Sequence, residues 1–321
     1  MQRLLQTAFV TFTMLALASF ANAAGEKVGD SKTDPDYKVQ GEYEGKVNGN
    51  KVGFQVVALG KGKFDVVLLK GGLPGAGWDG KTKAKLKGES KDGATLITGS
   101  DLSGKIVDGI LTATKGDATY EAKHVVRESP TLGKKPPKGA IVLFDGKNVE
   151  AWNGGKVVDK NLLNVGVRTK QTFGDYTLHL EFRTPYMPES RGQSRGNSGM
   201  YISDQYECQV LDSFGLEGKD NECGGIYSVS RPDVNMCLPP MAWQTYDVEF
   251  KAARFDREGK KTKNAVVTIR HNGVVIHGKR ELPKPTPGGG RNDEKAGAIF
   301  LQNHGDPVRY RNIWIVEDKA E

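Results

Sequence analysis

The stretch YECQVLD, residues 206–212, decides how the second half of the chain is read. Side chains alternate across an extended strand, so Tyr206, Cys208 and Val210 share one face while Glu207 and Gln209 share the other. The first face suits a core; the second sets a carboxylate beside a carboxamide, with Asp212 just beyond. Two further runs split the same way. In YTLHLEFR, Tyr176, Leu178, Leu180 and Phe182 oppose His179, Glu181 and Arg183; in AIFLQNHG, Ile299 and Leu301 oppose Phe300, Gln302 and His304. If these three strands share a sheet, one face gathers Glu, Arg, Gln, His and an aromatic ring, a set suited to gripping sugar hydroxyls and moving protons.

Outward from these runs, the segments AIVLF, LLNVGVR, GMYIS, GIYSV, YDVEFK, AVVTIR, VVIHG and RYRNIWIV are short, β-branched or aromatic, and separated by turn signals. The pattern predicts an antiparallel sandwich over residues 139–318. The first half repeats strand and turn without helical spacing: GEYEGKV, the Asn48-Gly49 hairpin signal, KVGFQVVAL, KFDVVLLK, AKLKGES, TLITGS, KIVDGILTAT and ATYEAKHVV. It reads as a smaller all-β domain over residues 24–128, with residues 24–36 polar and loose. SPTLGKKPPKGA marks a Pro/Lys linker, taken as residues 129–138.

The N-terminus shows Arg3, an apolar run and Ala21-Asn22-Ala23, the pattern of a signal peptide over residues 1–23 cleaved after Ala23. The expectation is a secreted or periplasmic protein whose mature chain has no integral membrane span. At 26% charged and 37% hydrophobic residues the composition suits a soluble globular protein. The formal charge of +7 comes with lysines at period two (Lys81, Lys83, Lys85, Lys87), the solvated face of a strand; export disfavours a nucleic-acid role, and the basic surface either keeps the chain in solution or helps it hold acidic glycans or the envelope. Three cysteines, Cys208, Cys223 and Cys237, allow one bridge, with Cys223 and Cys237 favoured because both lie in loop-like sequence while Cys208 sits on a core face. Zinc is a poor reading, since the chain has no CxxC and no paired histidines at ligand spacing.

GAGWDGKT, residues 75–82, satisfies the phosphate-loop pattern, but Ala84 and Leu86 alternate with lysines where that loop must open a helix. Trp78 within it reads either as a sugar platform or as a loop anchor. GNSGM, residues 196–200, lacks the last glycine of a nucleophile elbow. The ExQxxD of Glu207, Gln209 and Asp212 resembles the ExDxxE strand of laminarinase-like glycoside hydrolases. Gln209 cannot ionise and Asp212 is a methylene short, so double displacement by paired carboxylates is disfavoured.

LFDGKNVEAW (143–152), FGDYTLHLEFR (173–183), NSGMYI (197–202), YECQVLD (206–212), GIYS (225–228), HNG (271–273), LQNHG (301–305) and YRNIWI (310–315) stand in the order expected for the 3-keto-disaccharide hydrolase domain family. The chain resembles that family, in its planctomycete form with an N-terminal β-domain. The resemblance implies an all-β, concanavalin A-like jelly-roll sandwich. It also implies action on glycosides oxidised at C3, where a ketone acidifies the C2 proton and the C1 oxygen leaves by β-elimination before water adds. Such a route needs a base, a stabiliser of enolate charge and an acid. By position in the matching motifs, Glu207 or His304 is the C2 base and the other the acid. Arg183, with Gln209 or Gln302, would stabilise the enolate. Glu181, Asn197, Tyr227 and Asp212 would bind the substrate, and Phe300 would stack on a ring. No cofactor is implied with certainty; Asp212, Asp220 and Glu222 leave room for a divalent metal. A lectin-like binder and a conventional glucan hydrolase remain the alternatives.

Overall fold

Asn48 and Gly49 both take positive φ, 48° and 82°, and close a two-residue hairpin in which Val47 pairs with Asn50. This is the first turn of a meander in which eight antiparallel strands between Gly41 and Val125 each pair with the next. The last strand pairs with the first, Tyr43 opposite His124, so the sheet closes into a barrel without free edges. Alternate side chains, among them Phe54, Val56, Phe64, Val66, Leu86, Ile97 and Leu111, fill its interior. The computed structural model describes residues 28–99, 101–290 and 293–318, and the expected signal peptide lies outside them. Among the described residues no helix is long and apolar enough to cross a membrane.

The segment read as loose is held in place from Asp30 onward. Asp34 caps the short helix Pro35–Val39, accepting from the Asp36 amide at 2.9 Å, and Asp36 in turn accepts from the Gly62 amide at 2.8 Å. Tyr37 and Val39 pack on the barrel core at one end of it. The phosphate-loop pattern is a hairpin loop: Trp78 Nε1 donates to the Thr82 carbonyl at 3.1 Å, and the strand Lys83–Lys91 follows where a nucleotide site would need a helix. Trp78 is partly buried there, packing on Val67, Leu69 and Leu73.

The sandwich consists of two facing sheets. The narrow sheet runs, edge to edge, Trp152–Asn153, Val167–Thr169, Phe300–Leu301, Ser198–Ile202 and Tyr206–Val210. The broad sheet centres on Arg309–Glu317, Tyr176–Arg183, Gln244–Lys251 and Ala265–His271. Leu178, Leu180 and Phe182 from the broad sheet and Met200, Cys208, Val210 and Leu301 from the narrow one are fully buried between them. This is the antiparallel all-β sandwich that the alternation predicts.

Two expectations change. Cys208, Cys223 and Cys237 are all free and buried, without the Cys223–Cys237 bridge, and Cys223 Sγ lies 3.3 Å from the Tyr246 hydroxyl, so the loop-like segments are packed into the core. The Pro/Lys stretch is no free tether at its start. Thr131 donates to Asp247 at 2.6 Å, the Gly133 amide donates to Glu181 at 2.6 Å, and the Lys134 carbonyl accepts from Trp314 and Asn312. Residues 129–134 are thereby bonded across the outer face of the broad sheet.

The barrel docks on the sandwich through a buried ion pair. Arg195 Nε donates to Asp212 at 2.6 Å while its Nη1 reaches the carbonyl of Ala58 on the barrel at 3.2 Å. Lys83 and Lys85 of the barrel both pair with Glu217.

Candidate active site

Register builds the site. Tyr201 lies opposite Glu207 in the hairpin of the narrow sheet, Phe300 opposite Tyr201, and Arg168 opposite Phe300. Four side chains therefore form one row straight across the outer face, while their neighbours Met200, Cys208 and Leu301 face the core. Tyr201 and Phe300 rings lie 5.4 Å apart, the Arg168 guanidinium sits 4.6 Å over the Phe300 ring, and Arg168 also pairs with Asp204. A second row carries Gln302, whose amide N–H bonds the Gly199 carbonyl, then Gly199 and Gln209.

Glu207 is the unusual member. Its side chain is only 4% exposed, and its one hydrogen-bond partner among the described residues is the Tyr201 hydroxyl, which donates to Oε2 at 2.9 Å. Burial pushes its pKa up to about 7, against the smaller opposing pull of the Tyr201 hydrogen bond. Tyr201 is driven the other way from ionisation, raised by burial and then by the Glu207 carboxylate. Gln302 Nε2 donates to the Tyr201 oxygen at 3.4 Å, extending the chain of polar contacts.

The sequence makes room for this carboxylate by omission. A Cβ on Gly199 would stand 2.4 Å from Glu207 Oε1, so only glycine at that position leaves the pocket into which the side chain folds. A strap crosses above: Thr286 Oγ1 accepts from the Glu207 amide at 2.9 Å, and the Pro287 carbonyl lies 3.3 Å from the Tyr201 hydroxyl. A Cβ on Gly288, which has φ +81°, would come within 2.7 Å of that hydroxyl.

The structure brings together Glu207, Gln209, Gln302, Phe300 and Tyr227 from the set expected to act. Tyr227 donates its amide to the Glu207 carbonyl at 3.1 Å. Gln209 Nε2 donates to Gln193 Oε1 at 3.2 Å, and Asn197 donates to the Gln193 carbonyl at 2.8 Å, which links Asn197 to the end of the same face. His304 is exposed in the loop two residues after Gln302.

Glu181 and Arg183 fall elsewhere, because Tyr176–Arg183 belongs to the broad sheet and its polar face is the opposite outer surface of the sandwich. There Glu181 accepts from Gly133, Asn312 and Arg311; burial works against its charge, but His179 and these donors hold its pKa near 2. Arg183 lies 5.0 Å over the Trp243 ring. Asp212 is taken by Arg195 at the barrel seam. Among the described residues no group of three or more His, Cys, Asp or Glu side chains is arranged to hold a metal ion, and Glu222 is occupied by the amides of Gly218 and Lys219.

Tyr201, Arg168 and Gln193 escape a residue-type search. Tyr201 was within reach of sequence reasoning: the turn between GMYIS and QYECQV makes a hairpin, and its spacing sets Tyr201 opposite Glu207.

Residues 139–316 match the 3-keto-alpha-glucoside-1,2-lyase-like domain. The chain belongs to this family. A crystal structure from Parabacteroides distasonis ATCC 8503, described as that of a candidate glycosyl hydrolase, is 35% identical, covering 57% of this chain and 85% of its own at a TM-score of 0.51. A second structure from the same organism, described in the same way, is 18% identical and covers 61% of this chain and 99% of its own, at a TM-score of 0.41. Comparison with curated proteins finds no match. The family match spans both sheets of the sandwich and leaves the barrel outside, so a glycoside hydrolase-like function belongs to the sandwich.

Proposed function

We propose that the protein cleaves the glycosidic bond of 3-keto-glycosides by C2 deprotonation and β-elimination followed by hydration, with Glu207 as the base. The carrying observation is a carboxylate buried on a ring-lined sheet face, bonded among the described residues to a tyrosine alone and raised to about 7. A base of that pKa is both substantially ionised and markedly more basic than an exposed glutamate at neutral pH.

The atoms balance simply. Glu207 takes the C2 proton, the C2–H electrons form the C1–C2 double bond, and the C1–oxygen bond breaks with protonation of the departing oxygen. Water then adds across the double bond, hydroxyl to C1 and proton to C2. Charge builds on the C3 oxygen during the first step, and the Gln209 and Gln302 amides with the Tyr201 hydroxyl are the donors beside Glu207 for it. Phe300 offers a ring face to the sugar, Tyr227 is bonded beside the base, Asn197 stands at the end of the same face, and His304 at the exposed end is the proton donor to the departing oxygen. Arg183, Glu181 and Asp212 have no part in this scheme. The signal-peptide pattern of residues 1–23 supports work outside the cytoplasm.

The test is incubation with 3-keto-trehalose or a 3-keto-glucoside and measurement of aglycone release. The expected outcome is turnover that falls by a factor of about 1,000 in Glu207→Gln, in line with removal of a general base. Turnover of unoxidised glucan with none of the keto-sugar would refute the proposal.

A further inference from the structure

The barrel has two unlike ends. At one, the helix Pro35–Val39 packs on the core with Tyr37, Val39 and Tyr186 of the sandwich, beside a charged recess of about 560 Å³ that Lys38, Lys91, Asp92 and Asp108 line. The other is an open mouth of about 640 Å³, at the turn after Val47 and the start of the strand Lys83–Lys91. Its wall is made of the inward side chains Val47, Val52, Leu68, Ala84 and Tyr120, of which only Val52 is fully buried. Phe54, fully buried in the barrel, packs edge-on to Tyr120 with rings 6.2 Å apart.

An apolar cavity left half-open to water at the end of a barrel costs hydrophobic free energy, and barrel mouths of this size are where small ligands bind. Lys51, Lys70 and Lys83 stand on its rim. Lys83 pairs with Glu217, while among the described residues Lys51 and Lys70 have no carboxylate within ion-pair distance; Lys70 acts on Asp79 of the adjoining loop only at longer range. Aliphatic walls under a ring of ammonium groups match one ligand chemistry, an acyl chain ending in an anion.

We propose that the barrel mouth binds the chain of a single-chain fatty carboxylate, with the apolar wall around the methylenes and the Lys51 and Lys70 ammonium groups at the carboxylate. Each methylene taken from water there tightens binding by about fourfold, so chain length sets affinity. This gives the barrel a ligand of its own, separate from the sugar face, and does not depend on what the sandwich cleaves.

The experiment is calorimetric titration of the full mature chain with dodecanoate below its micelle concentration, with dodecylamine as the control of opposite charge. The expected result is one dodecanoate per chain, with octanoate weaker and dodecylamine weaker by at least tenfold. The double variant Lys51→Glu, Lys70→Glu, whose side chains are exposed and cannot disturb the core, is expected to reverse that preference; Leu68→Glu is expected to abolish binding of the carboxylate. Absence of dodecanoate binding by the parent chain, equal binding of the amine, or parent-like dodecanoate binding by the Lys51→Glu, Lys70→Glu chain would each overturn the proposal.

Discussion

Glu207 should destabilise the protein at neutral pH, and replacing it should show this. In the folded chain its pKa stands at about 7, against the ordinary glutamate value of 4.5. A carboxyl whose folded pKa is raised favours folding in its protonated form: its contribution is neutral below the unfolded value and becomes a penalty as pH rises toward the folded value. The gap of about 2.5 units, at about 1.4 kcal/mol each, makes the penalty about 3 kcal/mol above pH 7, shrinking to about 1 kcal/mol at pH 5. Glu207→Gln keeps the shape and the acceptor for Tyr201 but carries no charge. Denaturant unfolding of both chains at pH 5 and pH 8 should therefore find the variant more stable by about 3 kcal/mol at pH 8, with the advantage falling to about 1 kcal/mol at pH 5. Comparing the two chains at each pH cancels every other titrating group. An advantage that stays the same at both pH values, or a variant less stable at pH 8, would refute the placement of Glu207 as a buried, unpaired carboxyl. The same variant is expected to lose turnover, so stability gained and activity lost at one residue would mark it as functional rather than structural.

Further outcomes follow from neighbouring geometry. Gly199→Ala places a methyl 2.4 Å from Glu207 Oε1, and turnover should drop by roughly 10- to 100-fold with the unfolding midpoint nearly unchanged; full activity would show that the carboxylate need not occupy that pocket. Arg195→Met leaves Asp212 buried without its cation and should cost about 3–5 kcal/mol in equilibrium unfolding, part of which Asp212→Asn should restore in the double variant. Burial opposes protonation of His179, but Asp247 and Glu181 outweigh it and raise its pKa, so the support His179 gives is present below pH 6.5 and is lost as pH rises through the raised value. Because Asp247 and Glu181 also hold Thr131 and Gly133, tryptic cleavage after Lys134, measured relative to a His179→Phe chain, should accelerate across that window; a flat ratio would show that the histidine does not secure residues 129–134.

Alternation along the strands was legible at once, since burying one face of YECQVLD forces Tyr206, Cys208 and Val210 inward whatever the strand pairs with. Sheet membership was not. Glu181 and Glu207 carry the same local pattern, yet one lies opposite Arg311 and Thr245 and the other opposite Tyr201, and only those pairings decide which outer surface each reaches. For Glu181 the partners are 64 and 130 residues away in the chain, beyond any window of periodicity, whereas the Tyr201 partner of Glu207 is one hairpin away. The barrel shows the same division. Each hairpin is local, but closure depends on Tyr43 meeting His124 across the whole domain. The cysteines were misread for a related reason: Cys223 and Cys237 lie in irregular segments that pack against Tyr246 in the core, and irregular backbone carries no pattern that announces burial.

The central claim is that bond cleavage proceeds through loss of the C2 proton to Glu207. It is tested most directly by running the reaction on a 3-keto-glucoside in deuterium oxide and locating the label in the released sugar. Addition of water to a C1–C2 double bond predicts one deuterium at C2 of the product and none at C2 of recovered substrate. Product that keeps its original C2 hydrogen would mean direct displacement at C1 and would contradict the account.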